Sequence, residues 1–182
     1  MIEAAGRVRV WGRLVRVLHW SLVGSVAIAA LSLIDALGLS RWHEPAGYVA
    51  LTIAAIRVVW GFTRSGHARF ASFVRSPRAT LNYLRLVIKR SEPRTLGHNP
   101  LGGWMILALL VCVMALAFTG WLYTTDMFWG SEAVEDVHRV LAWTLLGLVA
   151  AHIGGVIFTS VRHRENLVKA MFDGEKVMRE DA

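Results

Sequence analysis

The sequence predicts an all-α fold, an integral membrane four-helix bundle formed as a single domain over residues 1–182. Three observations carry that expectation. Hydrophobic side chains make up 55% of the chain and the mean hydropathy is +0.46, too apolar for a water-soluble domain of this size. Four stretches are long enough to cross a hydrocarbon core of about 30 Å, which takes roughly 20 apolar residues. Lys and Arg gather on alternate connections, as a multi-pass topology requires.

The first stretch runs from about Leu14 to Leu37. Arg7, Arg9, Arg13 and Arg16 around its start are also what a secretory signal peptide would carry, but the run is too long for one, and His19 and Trp20 interrupt it. The second stretch covers about 43–62, the third 101–124 and the fourth 137–160. Arg64, Arg69, Arg75, Arg78, Arg85, Lys89, Arg90 and Arg94 lie between the second and third, and Arg162, Arg164, Lys169, Lys176 and Arg179 follow the fourth. Basic residues near helix ends are retained in the cytoplasm, so both termini are expected on the cytoplasmic side of the membrane. The net charge of +7 therefore describes a lipid-facing cytoplasmic surface, and nucleic acid is not an expected partner.

Within the long connection, "SPRATLNYLRLVIKRSEP" sets Leu81, Leu84, Val87 and Ile88 on one helical face, with Arg78, Arg85 and Lys89 elsewhere. This predicts an interfacial helix over about 77–90 resting on anionic lipid, with Pro77 in the first turn and Pro93 closing the segment. Cys112 is the single cysteine, so no intrachain disulfide forms, and no C-x-x-C-H is present to attach haem covalently.

Histidines carry the chemistry. An imidazole within a span loses its water and needs a partner, so such residues usually serve function. His138 and His152 are fourteen residues apart, roughly 21 Å along a helix and within about 40° of one face. His43 opens the second span level with His138, while His19 and His152 both lie toward the cytoplasm. Two facing imidazoles at each of two levels suit bis-imidazole ligation of two haem irons. Zinc, the competing cofactor, wants about four protein ligands around one point, and no cysteine completes either pair.

Gly24, Gly47, Gly154 and Gly155 would leave room for a flat macrocycle, although membrane helices also use glycine for packing. Arg16, Arg57 and Arg139 lie near the two levels as candidate propionate partners; snorkelling to headgroups is the alternative for Arg57. His67 and His163 read as loop residues, whereas His98, in "LGHNPLGGW", could bear on a quinone or a structural contact. Asp126, Glu132, Glu135 and Asp136 give the periplasmic rim a negative field, a candidate landing site for a positively edged redox partner.

With "RVLHW", "WHEPAGYV", "RVVWGF", "SPRATLNYL" and "LGHNPLGGWM" in this order, followed by the paired histidines of the fourth helix, the chain resembles the bacterial cytochrome b561 and nickel-hydrogenase-type cytochrome b family over nearly its whole length. The resemblance implies a four-helix membrane cytochrome with two non-covalent b haems. By it, His19 and His152 ligate the cytoplasmic-side haem and His43 and His138 the periplasmic-side one, and the third helix carries no ligand. It also implies electron transfer between the quinone pool and a periplasmic partner, either a cytochrome c or a reductase or hydrogenase subunit. The other functions it leaves open are a membrane anchor with structural haems and superoxide oxidation with quinone as acceptor. The redox partner, the electron direction and any oligomer stay open.

Overall fold

A computed structural model describes residues 6–63 and 69–177. Arg64, His67 and Arg179 lie outside the described residues. The chain forms strand β1 (Arg7–Arg9) and then helix α1 (Arg13–Leu31). Two single-turn 3-10 segments (Asp35–Leu37 and Ser40–Trp42) lead into α2 (His43–Thr63). Then come α3 (Phe70–Phe73), α4 (Pro77–Ile88), α5 (Pro100–Tyr123), α6 (Glu132–Arg162), α7 (Leu167–Asp173) and strand β2 (Glu175–Val177). Four of these helices, α1, α2, α5 and α6, are long and apolar enough to span a bilayer.

The spans pack in an arc, α1 on α2, α2 on α5 and α5 on α6. On α2 the buried positions are Ala46, Ala50, Ile53, Ala54, Arg57 and Gly61, a stripe of mostly small residues that lets helix backbones approach. Leu110, Cys112 and Val113 of α5 and Leu145 of α6 complete the core, with Phe70 and Phe73 of α3 closing one end. Gly61 is required there, because a Cβ would collide with the Phe70 ring. On α6 the half-buried and buried positions run Val134, His138, Leu141, Leu145, Leu148, Val149, His152 and Val156 at helical spacing. Val140, Trp143, Ile153 and Ile157 point outward.

Several boundaries differ from the sequence expectation for stated physical reasons. α1 ends at Leu31 rather than near Leu37, since Ser32 turns its hydroxyl back to the Ala29 carbonyl at 2.7 Å and a 3-10 segment follows. α6 begins at Glu132, five residues before the apolar run, because Glu132 and Glu135 in its first turn complement the helix dipole. α4 starts as expected, with Pro77 at its first position and Ser76 accepting from the Ala79 amide. Its inner side is anchored by buried Tyr83, which leaves Leu81, Leu84 and Ile88 facing outward, as a lipid-resting helix needs.

A small clasp was not foreseen. β1 pairs antiparallel with β2, Arg7 opposite Val177 and Arg9 opposite Glu175, so the two strands that flank the bundle meet at one end. Gly174, at φ +87°, makes the turn into β2, and its carbonyl accepts from Val10 and Trp11. At the same end Glu92 accepts from Arg162, Glu165 pairs with Arg94 and with Lys176, and Lys176 is itself buried.

Candidate functional site

His43 and His138 meet across the bundle, their ring centroids 6.2 Å apart and their planes at 67°. His43 is the first residue of α2, and its Nδ1 lies 2.9 Å from the Ala29 carbonyl and 3.0 Å from Ser32 Oγ. Ala29 is in the last turn of α1, where carbonyls lack an onward amide partner and seek other donors. The Ser32 hydroxyl already donates to Ala29, so its oxygen can only accept, and Nδ1 of His43 must carry the proton. The same logic holds for His138, whose Nδ1 lies 2.9 Å from Thr119 Oγ1. The one proton of Thr119 Oγ1 goes to the carbonyl of Ala115 or of Leu116, each at 3.0 Å, which leaves its oxygen to accept from the imidazole. Gly120 of α5 lies against the same ring, where a Cβ would stand 3.4 Å from His138 Cε1, at van der Waals contact.

Both rings are thus held as Nδ1–H tautomers, leaving Nε2 with a lone pair for a metal. Two imidazole nitrogens, each about 2 Å from one metal ion, put the ring centroids roughly 6 Å apart. The spacing of His43 and His138 matches that arrangement. Two donors leave zinc short of its usual four, whereas a porphyrin supplies four nitrogens of its own, so the donor set fits haem. Among the described residues no three His, Cys, Asp or Glu side chains cluster as a metal site.

Toward the clasp end, His19 sits on the inner stripe of α1 beside buried Val15 and Leu18, near enough to His152 of α6 to feel its charge. Trp20 meets His19 edge-on at 5.2 Å and stacks on Phe172 of α7 at 4.3 Å. Gly24 and Gly47 are half-buried and open onto free space where a Cβ would stand, which leaves room between the helices for a slab.

The three arginines differ. Arg57 is buried on the inner face of α2, with its guanidinium 5.5 Å over the Phe70 ring. Arg16 donates to the Phe172 carbonyl, and its Nε is shielded with no hydrogen-bond partner among the described residues. Arg139 is exposed and taken up by its own helix, 2.7 Å from Glu135 and 3.2 Å from Asp136. His163 lies 4.0 Å from Glu92. His98 lies between Trp11 and Phe73 at 4.5 and 4.9 Å, and burial, then the charges of Arg57 and Lys176, hold its pKa down to about 3.

Sequence reading missed Ser32, Ala29 and Thr119. A hydroxyl or a helix-end carbonyl is common in membrane helices, and only packing shows which one faces a ring.

Four apolar helices with a facing pair of imidazoles, His43 and His138, suit a membrane-bound b-type cytochrome. The chain belongs to the prokaryotic cytochrome b561 family, whose model matches residues 10–174. No curated protein and no solved structure matches it. It is accordingly a bacterial membrane protein of electron transport that binds b-type haem and contacts lipid.

Proposed function

We propose that this cytochrome carries electrons across the membrane between the quinone pool and a periplasmic redox partner, a cytochrome c or a reductase subunit, using two b haems. His19 and His152 hold one and His43 and His138 the other. Haem, when bound, supplies a one-electron ferric/ferrous couple. The observation that carries the reading is the placement of His138 and His152 on one inward stripe of α6, with their counterparts on α2 and α1. One helix thus bridges two depths of the membrane. The concentration of Lys and Arg at the clasp end supports a cytoplasmic location for both termini, which makes the His43/His138 end periplasmic.

The quinone is supported by a groove of about 480 Å³ at the cytoplasmic end of α1, lined by Arg13, Arg16, Trp20, Ser21, Met171 and Phe172. It lies one aromatic ring beyond His19, it offers a stacking face together with guanidinium and hydroxyl donors, and the exposed Val17 beside it faces the membrane. At the other end Asp126 and Glu132 are exposed and acidic, which suits a partner with a basic edge.

The test is a proteoliposome assay. A quinol analogue should reduce both haems, and an external cytochrome c should reoxidise them. His138→Ala should leave one haem, still reducible by quinol, and abolish transfer to the external acceptor. Haems that quinol does not reduce would favour a structural anchor instead.

A further inference from the structure

Neither the ligand pairs nor the groove accounts for His98. It sits two residues before α5, where Asn99 caps the helix by accepting from the Gly102 amide at 2.7 Å. The loop is therefore fixed, and the imidazole is pressed between Trp11, which precedes α1, and Phe73 at the end of α3. Its Nδ1 is shielded from solvent and meets no hydrogen-bond partner among the described residues. Buried polar atoms are almost always satisfied, so such a nitrogen calls for a polar partner.

The surroundings say which kind. The groups that act on His98 electrostatically are Arg57, Lys176, His152 and His19, and no carboxylate is among them. Arg57 comes from α2, Lys176 from β2, and the two histidines are the candidate ligands of the cytoplasmic-side haem. Lys176 is paired with Glu165, but beside the Arg57 charge an imidazole nitrogen that carries its proton suits an anionic acceptor, and a hydrogen bond to a carboxylate is the strong, charge-assisted kind. A b-type haem carries two carboxylates as its propionates. His98 feels the charges of both His19 and His152, so it stands at the same end of the bundle as a macrocycle those two histidines would hold, and the carboxylates of that macrocycle are the anions nearest to hand.

We propose that His98 is a positioning residue of the His19/His152 site, its Nδ1 donating a hydrogen bond to a propionate of the haem bound there. The inference rests on the haem assignment above. Loss of the donor leaves the carboxylate charge less compensated, which favours ferric over ferrous iron and lowers that haem's midpoint potential.

The experiment uses the full-length, haem-loaded protein in lipid nanodiscs, with His98→Phe and His98→Gln. Haem is counted by pyridine haemochrome, midpoints are read by redox titration, and the propionate bending band is followed by resonance Raman. In His98→Phe two haems should remain. The reduced-to-oxidised ratio of one should fall about tenfold at fixed potential, a midpoint lower by about 59 mV for one electron. The other midpoint should not move, the propionate band should shift, and His98→Gln should recover part of both changes. His138→Ala, which removes the other haem, should retain the haem that responds.

An unmoved band and unmoved midpoints in His98→Phe overturn the proposal, and so does an equal shift of both haems, which reports general loosening. If His98→Phe does not insert, His98→Gln decides alone: its weaker neutral donor must still move the band. A wild-type protein with one haem, or a His138→Ala protein with none, overturns instead the assignment on which the proposal rests.

Discussion

Thr119→Val tests whether an inner-helix hydroxyl sets the chemistry of His138, the proposed haem ligand. Valine keeps the shape of threonine but removes the oxygen that lies 2.9 Å from His138 Nδ1. That oxygen can only accept, since its own proton goes to Ala115 or Leu116, so the change leaves the imidazole N–H short of a partner. Outer-shell partners of this kind typically contribute 10- to 100-fold in metal affinity. The Leu116 carbonyl also accepts from His138, which places the expected loss at the low end. We expect about tenfold weaker haem binding, about 1.4 kcal/mol, at the His43/His138 site alone. The midpoint of that haem should rise, because a ligand that loses its Nδ1–H acceptor is a poorer electron donor to ferric iron. The helix itself should barely notice, as hydroxyl bonds back to the preceding turn add little to helix stability. Haem transfer to a soluble apo-globin measures the affinity, redox titration the midpoint, and Thr119→Ser should restore both. Wild-type transfer rates and midpoints in Thr119→Val, or equal losses from both haems, would refute the reasoning.

Other perturbations have defined outcomes. A Cβ at Gly103 would stand 2.8 Å from the Phe73 carbonyl oxygen, so Gly103→Ala should push α5 from α3 at a cost of about 1–3 kcal/mol, visible as a lower thermal midpoint for haem release. The Arg162 hydrogen bond holds the Glu92 carboxyl below the usual carboxylate range. A carboxyl depressed in the folded state contributes stability above its unfolded value of about 4.3, and that contribution is lost as pH falls through the folded value. Acidification to below about pH 4 should therefore open residues 90–99 and the β1–β2 clasp to an acid protease, and Glu92→Gln should leave them open already at neutral pH. At the end away from the clasp Arg139 offsets Glu135 and Asp136, so on the proposed function Asp126→Asn with Glu132→Gln should slow electron exchange with a basic cytochrome c and flatten its salt dependence, with the haem spectra unchanged. A rate and salt slope equal to wild type would move the landing site elsewhere.

Lipid and water impose a one-dimensional code on this chain, and that much is determined by the sequence alone. Apolar run length announces four spans because a bilayer has one thickness, and α2 and α5 keep their expected bounds within a residue or two. Helical rise and twist place His138 and His152 on one face at two depths before any packing is known. Where polar and apolar signals overlap, the code runs out: α6 continues into the acidic rim, and α1 stops short because Ser32 and Ala29 are drawn into the His43 contact. The rotations and approaches of neighbouring helices decide everything that crosses between elements. They bring Thr119 to His138, press His98 between Trp11 and Phe73, and join β1 to β2 across nearly the whole chain. Periodicity records which side of a helix avoids lipid or water, but a hydrogen bond between helices depends on distances of about 3 Å that no single helix's sequence encodes, and tertiary packing alone supplies them.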